Sequence, residues 1–129
     1  MTQIPESHAD ILRERSFAHV ATTNADGSPQ VTPVWVDYDG EYILINSAAG
    51  RKKDRNMRAR PQVAISVQDP DNPYRYLGVE GVVAEITEQG AAAHIHALSQ
   101  KYHGRDYDLS SGETRVIYKI RPTRAWTMG

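Results

Sequence analysis

Alternation of apolar and polar positions dominates this chain, interrupted by three stretches with helical spacing. Residues 5–14 predict a short helix, with Pro5 near its first turn and Ile4, Ile11 and Leu12 as core contacts. Residues 17–23 alternate as a strand, and 24–28 form a turn in which Gly27 takes positive φ. A second strand, Val-rich with Trp35 at its centre, runs from Gln30 to Asp37. Tyr38-Asp39-Gly40 then turns the chain into a strand over 41–46, because Asp-Gly is a strong hairpin signal. Three strands joined by two tight turns predict an antiparallel meander.

The second half continues in the same manner. A short helix over 51–60 is closed by Pro61, and 62–68 reads as a strand. Asp69-Pro70-Asp71-Asn72-Pro73 reads as a rigid polar loop outside the sheet. One long strand follows over 74–86, with Gly78 and Gly81 marking bends or bulges. Thr87 is the expected N-cap of a helix over roughly 88–103 that Gly104 ends. After a polar loop over 106–112, residues 114–120 form the last strand, followed by Pro122 and a tail carrying Trp126. Six or more strands with three short helices predict a mainly β protein, a small β-barrel, as one domain over 1–129.

Composition narrows the function classes. No apolar run approaches the ~20 residues of a membrane span, and the N-terminal residues lack the pattern of a signal peptide. With no cysteine, disulfides, thiolate metal sites and cysteine nucleophiles are excluded. A cytoplasmic location is the expectation. A net charge of −1 argues against a general nucleic-acid binder.

Charge is distributed unevenly, however. Residues 51–60 hold six of the fifteen Lys and Arg with one acid, Asp54, so this window is +5 while the rest of the chain is −6. Arg51, Lys52 and Lys53 fall in the first helical turn, where the macrodipole and free N–H groups already favour negative charge. A bound anion would resolve that conflict. A solvated helix accounts for the window equally well, since only Met57 and Ala59 are apolar.

Elsewhere the sequence offers little catalytic chemistry. Gly50-Arg51-Lys52 lacks the rest of a phosphate-binding Walker loop, and no Gly-x-Ser-x-Gly elbow is present. His94 and His96 fall on different helix faces and make poor metal partners, so no metal site is expected. His8, His19 and His103 are expected at surface or edge positions. With no evident acid, base or nucleophile, catalytic residues stay unassigned, and an enzyme built this way would rely on a cofactor.

The order of segments resembles the pyridoxamine 5'-phosphate oxidase-like split β-barrel proteins, and among them the flavin/deazaflavin oxidoreductases that use coenzyme F420. The resemblance rests on residues 17–22, 26–35, 51–57, 69–76 and 118–123, which together span most of the chain. It implies a homodimeric, FMN-binding-like split barrel with the cofactor between subunits. By that likeness, the strand holding Gln30, Pro33, Val34 and Trp35 lays its backbone along the cofactor ring. Asn46 and Ser47 lie near the ribityl chain and phosphate; Arg51, Lys52, Lys53 and Asn56 belong to the phosphate-binding helix. Tyr76 is contributed by the partner subunit. The C-terminal basic residues that hold the substrate phosphate in pyridoxamine phosphate oxidases proper are not clearly reproduced in 121–126. The surplus of Lys53, Arg55 and Arg58 suits the oligoglutamate tail of F420, and surface solvation explains it nearly as well.

The leading expectation is therefore an F420-dependent oxidoreductase that moves a hydride between the deazaflavin and an enone or quinone. An FMN-dependent reductase or oxidase on the same barrel comes second. A non-enzymatic cofactor carrier and a basic-patch nucleic-acid binder are the remaining alternatives.

Overall fold

The backbone of the computed structural model, described here over residues 4–129, is an antiparallel sheet of seven strands that curls into a split half-barrel. Met1 to Gln3, read above only for a leader, lie outside the described residues. In chain order the elements are α1 (Ala9–Arg13), β1 (Phe17–Thr23), β2 (Pro29–Trp35), β3 (Asp37–Tyr38) and β4 (Ile43–Ala48). They are followed by α2 (Lys52–Ala59), β5 (Gln62–Asp69), β6 (Asn72–Thr87), α3 (Ala91–His103) and β7 (Arg115–Met128). Strand order across the sheet is β2-β1-β5-β6-β7-β4-β3.

Period-two patterning decides which face is buried. Ala18 and Val20 of β1 point into the core, as do Val63, Ile65 and Val67 of β5. Ile43, Ile45, Leu77, Val79, Val116, Tyr118 and Ile120 complete the inner wall, with Ile11 and Leu12 from α1 and Met57 from α2. Fully burying side chains of this size contributes about 1.5–3 kcal/mol each. A second, smaller cluster joins Ile95, Leu98 and Tyr102 of α3 to Trp35, Tyr107 and Leu109.

The predicted three-strand meander does not form. β1 and β2 pair as a hairpin, but β3 and β4 lie at the opposite end of the sheet. The chain breaks at buried Val36, whose N–H donates to the Tyr102 hydroxyl at 3.0 Å and whose carbonyl accepts from Lys101 Nζ at 2.7 Å. Side chains of α3 satisfy the backbone there, so no neighbouring strand is needed. The Asp39-Gly40 turn does form, with Gly40 at φ 98° and the Asp39 carboxylate accepting the N–H groups of Glu41 and Tyr42.

Four further expectations change. The last strand runs on through Pro122 to Met128, because Pro122 pairs with Gly81 at a bulge where a missing N–H is tolerated. A Cβ on Gly81 would stand 2.7 Å from Ile120 Cγ2 and 3.0 Å from the Arg121 carbonyl oxygen, so the bulge requires glycine. Asn72 and Pro73 belong to β6, leaving only Pro70 and Asp71 to turn the chain. Thr87 ends β6; the N-cap of α3 is left-handed Gly90, while Gly104 closes the helix as expected. His8, expected at a surface or edge, is buried, its Nε2–H donating to the Met128 carbonyl at 3.1 Å.

Candidate functional site

The basic window forms α2, and its single acid anchors the helix. Asp54 is buried and accepts from the Gly50 N–H at 2.9 Å, the Tyr118 hydroxyl at 2.5 Å and Arg58 Nε at 3.0 Å. Burial alone would raise its pKa; those three donors outweigh it and hold the carboxyl below its ordinary range. Met57 and Asn56 are also buried, so α2 is not simply a solvated helix. Its later cations are engaged by the chain itself: Arg55 bonds the Gly50 carbonyl, Arg58 bonds Asp54, and Arg60 bonds the Thr23 carbonyl.

Arg51, at the N-cap, and Lys53 instead face a cleft of about 250 Å³. Pro33, Val34 and Trp35 of β2, Asn46 and Ser47 of β4, and Arg115 of β7 line it with them, and Phe17, Ile95 and Tyr107 complete the lining. Trp35 is stacked on Tyr102 at 5.1 Å and meets Tyr107 edge-on at 6.2 Å. Such pairs favour one ring orientation by about 0.5–1.5 kcal/mol beyond burial. The lining thus combines an aromatic, apolar set of side chains with a cationic one.

Electrostatics within the cationic set are unbalanced. Burial, then the guanidinium groups of Arg51 and Arg115, push the Lys53 ammonium below the usual lysine range. Burial also lowers Arg115. Arg51 pairs with Glu113 at 2.7 Å, and Arg115 Nη1 stands 3.6 Å from the same carboxylate, too far for a hydrogen bond. Arg115 Nε donates to Asn46 Oδ1 at 2.9 Å. Two buried donors in this lining, Ser47 Oγ and Arg115 Nη1, have no hydrogen-bond partner among the described residues. Leaving a buried polar group unsatisfied costs about 1–3 kcal/mol. An anion with several acceptor oxygens would satisfy both and offset the repulsion among three cations.

Of the residues singled out in the sequence, Pro33, Val34, Trp35, Asn46, Ser47, Arg51 and Lys53 come together here. Others stand apart. Gln30 lies farther along β2 beside Thr22, and Lys52 is exposed on α2 outside the lining. Asn56 spends its amide N–H groups on Thr22 Oγ1 and Asn24 Oδ1, tying α2 to β1 and its turn. Tyr76 sits on β6, paired in register with Gln68 and Met128, and does not reach the cleft of its own chain. The lining residues missed were Arg115, Tyr107, Phe17 and Ile95; the Tyr107 ring lies 5.1 Å from the Arg115 guanidinium. An arginine opening a Val- and Ile-rich strand was the available signal for the first.

Comparison with known proteins gives a consistent result. The family model for pyridoxamine 5'-phosphate oxidase matches residues 4–129. Among solved structures the chain is similar to an F420 reductase, with 39% identity, coverage of 95% of this chain and 98% of that one, and a TM-score of 0.86. It is also similar to a conserved hypothetical protein from Mycobacterium tuberculosis, at 28% identity, covering 97% and 84% of the two chains with a TM-score of 0.78. General Stress Protein 26 from Bacillus anthracis shares the fold at 17% identity, 95% and 92% coverage and a TM-score of 0.72.

Proposed function

Because the chain belongs to the pyridoxamine 5'-phosphate oxidase family, we propose that the cleft holds a phosphorylated flavin-type cofactor and that the protein is an F420-dependent oxidoreductase. The observation that carries this reading is the meeting of Arg51, Lys53, Arg115 Nη1 and Ser47 Oγ beside the apolar wall of Trp35. That donor set fits a phosphate next to a planar ring. Similarity to an F420 reductase supports F420 over FMN, whose phosphate the same cations would suit.

In this reading Arg51, Lys53, Arg115 and Ser47 bind the phosphate, while Pro33, Val34 and Trp35 line the ring and exclude water on one side. When bound, the deazaflavin supplies hydride transfer to an organic acceptor of the enone or quinone type. The chain's own contribution is positioning and charge stabilisation. Tyr107 is the tyrosine of the lining that would deliver a proton in competition with solvent. Turnover of reduced F420 with a simple quinone, followed by deazaflavin absorbance, tests the activity. No acceleration over the uncatalysed rate, with cofactor bound, would leave a carrier.

A second subunit would add a further wall to this cleft of about 250 Å³. Exposed Phe17, Val31, Trp126 and Met128 give a homodimer apolar surface to bury. Tyr76 would then reach the cleft from the partner. Mixing Trp35→Ala with Tyr76→Ala subunits should regain one intact site per heterodimer. No regain of cofactor binding would refute a shared site.

A further inference from the structure

We propose that His94 is a positioning residue for this cleft: protonated at Nε2 alone, it fixes the amide of Asn46, and Asn46 in turn aims Arg115 at the ligand anion. The inference rests on the reading of the cleft as a cofactor-phosphate site. It begins from a hydrogen-bond chain that crosses three elements. Asn46 Nδ2 donates to the Ala91 carbonyl at 2.9 Å and meets His94 Nδ1 at 3.1 Å, both in the first turn of α3. Its Oδ1 accepts from Arg115 Nε at 2.9 Å. Every polar hydrogen and the oxygen of this buried amide therefore have one defined use.

The geometry also fixes the histidine tautomer. Because Asn46 turns its Nδ2 toward His94, Nδ1 must accept, so the ring proton sits on Nε2. Nε2 faces Asp37 Oδ2 at 3.6 Å, an electrostatic contact longer than a hydrogen bond that favours a proton there. His94 does not line the cleft, and no described group other than Asn46 connects it to Arg115. Its hydrogen-bonded route to Arg115 runs through the Asn46 amide. With the acceptor at position 94 removed, one Asn46 hydrogen is left buried and unpaired. The amide then keeps only its bonds to the Ala91 carbonyl and Arg115 Nε, so Arg115, whose Nη1 is the unpartnered donor, is held less firmly toward the ligand.

Two measurements test this. The first is the imidazole 15N spectrum of the parent protein, which requires no variant to fold. The Nε2–H tautomer is expected for His94, and the Nδ1–H tautomer overturns the proposal. The second is affinity for F420 and for FMN, with inorganic sulfate as competitor. His94→Leu should weaken cofactor binding about three- to tenfold, the worth of one neutral hydrogen bond. His94→Asn, which returns an acceptor near the Nδ1 position, should recover most of that loss. In an Asn46→Ala background His94→Leu should have no further effect. Parent affinity in His94→Leu, equal losses in the Leu and Asn variants, or a loss that persists without Asn46 would each overturn the inference while leaving the cofactor site standing. If the parent binds neither F420 nor FMN, the site itself is refuted and the positioning role falls with it.

Discussion

Replacing Lys53 with alanine separates a cation placed for a ligand from one placed for the fold. In the free protein this ammonium makes no hydrogen bond or ion pair with the described residues. Burial and the flanking guanidiniums of Arg51 and Arg115 disfavour its charged form. Its removal should therefore leave ligand-free stability unchanged or slightly raised, which a thermal melt would show. A charge-assisted hydrogen bond to phosphate contributes about 1.5–3 kcal/mol, so F420 or FMN affinity should fall at least about tenfold. A pH series adds a sign. The ligand binds the ammonium form and raises its pKa, so parent affinity should decline as pH rises through the lowered free-state pKa of Lys53. Lys53→Arg, which keeps its charge, should lack that decline. The assay is a cofactor fluorescence titration at fixed ionic strength, because exposed charges nearby are screened by salt. If Lys53→Ala binds both cofactors like the parent across the pH range, the phosphate lies elsewhere.

Three further outcomes follow from the same geometry. Glu113→Gln removes the anion that pairs with Arg51 and should tighten cofactor binding about two- to fivefold, the effect of a partly exposed ion pair; weaker binding would mean that Glu113 organises the site. Asp54→Ala leaves the Gly50 N–H and the Tyr118 hydroxyl without their acceptor and should cost about 2–4 kcal/mol in denaturant unfolding. Since the folded pKa of Asp54 lies below 3.8, its stabilising share is complete above that value and disappears as pH falls through the folded pKa, a loss the variant should not show. Tyr102→Phe strips the hydroxyl that accepts from Val36 and donates to the Ser16 carbonyl, and should cost about 1–3 kcal/mol, with an unchanged unfolding midpoint counting against this role.

Local signals carried much of this fold. Strand alternation, the Asp39-Gly40 turn and the Gly104 helix stop are written in adjacent residues, and each appears in the structure. The clash of Arg51, Lys52 and Lys53 with a helix N-terminus was equally local, and it pointed to the end of α2 that borders the cleft, although Lys52 lies outside the lining. What escaped notice depends on distant pairing. Val36 continues the Val-rich pattern of β2, and only Lys101 and Tyr102, on another element, reveal that the strand ends there. Arg115 is one charge in an apolar strand; its place in the cleft comes from the β4–β7 register that sets it opposite Ala48. Pro122 argued against a strand until the bulge at Gly81 supplied a position without a required N–H.

The central claim is that the cations at the start of α2 and on β7 recognise a cofactor phosphate. Titrating the chain with F420 and FMN, and in parallel with the phosphate-free chromophore of each, tests it most directly. At least one phosphorylated form should bind about tenfold or more tightly than its phosphate-free counterpart, with tryptophan quenching that Trp35→Ala reduces. Equal affinity for the two forms, or saturable binding by neither cofactor, would contradict the account.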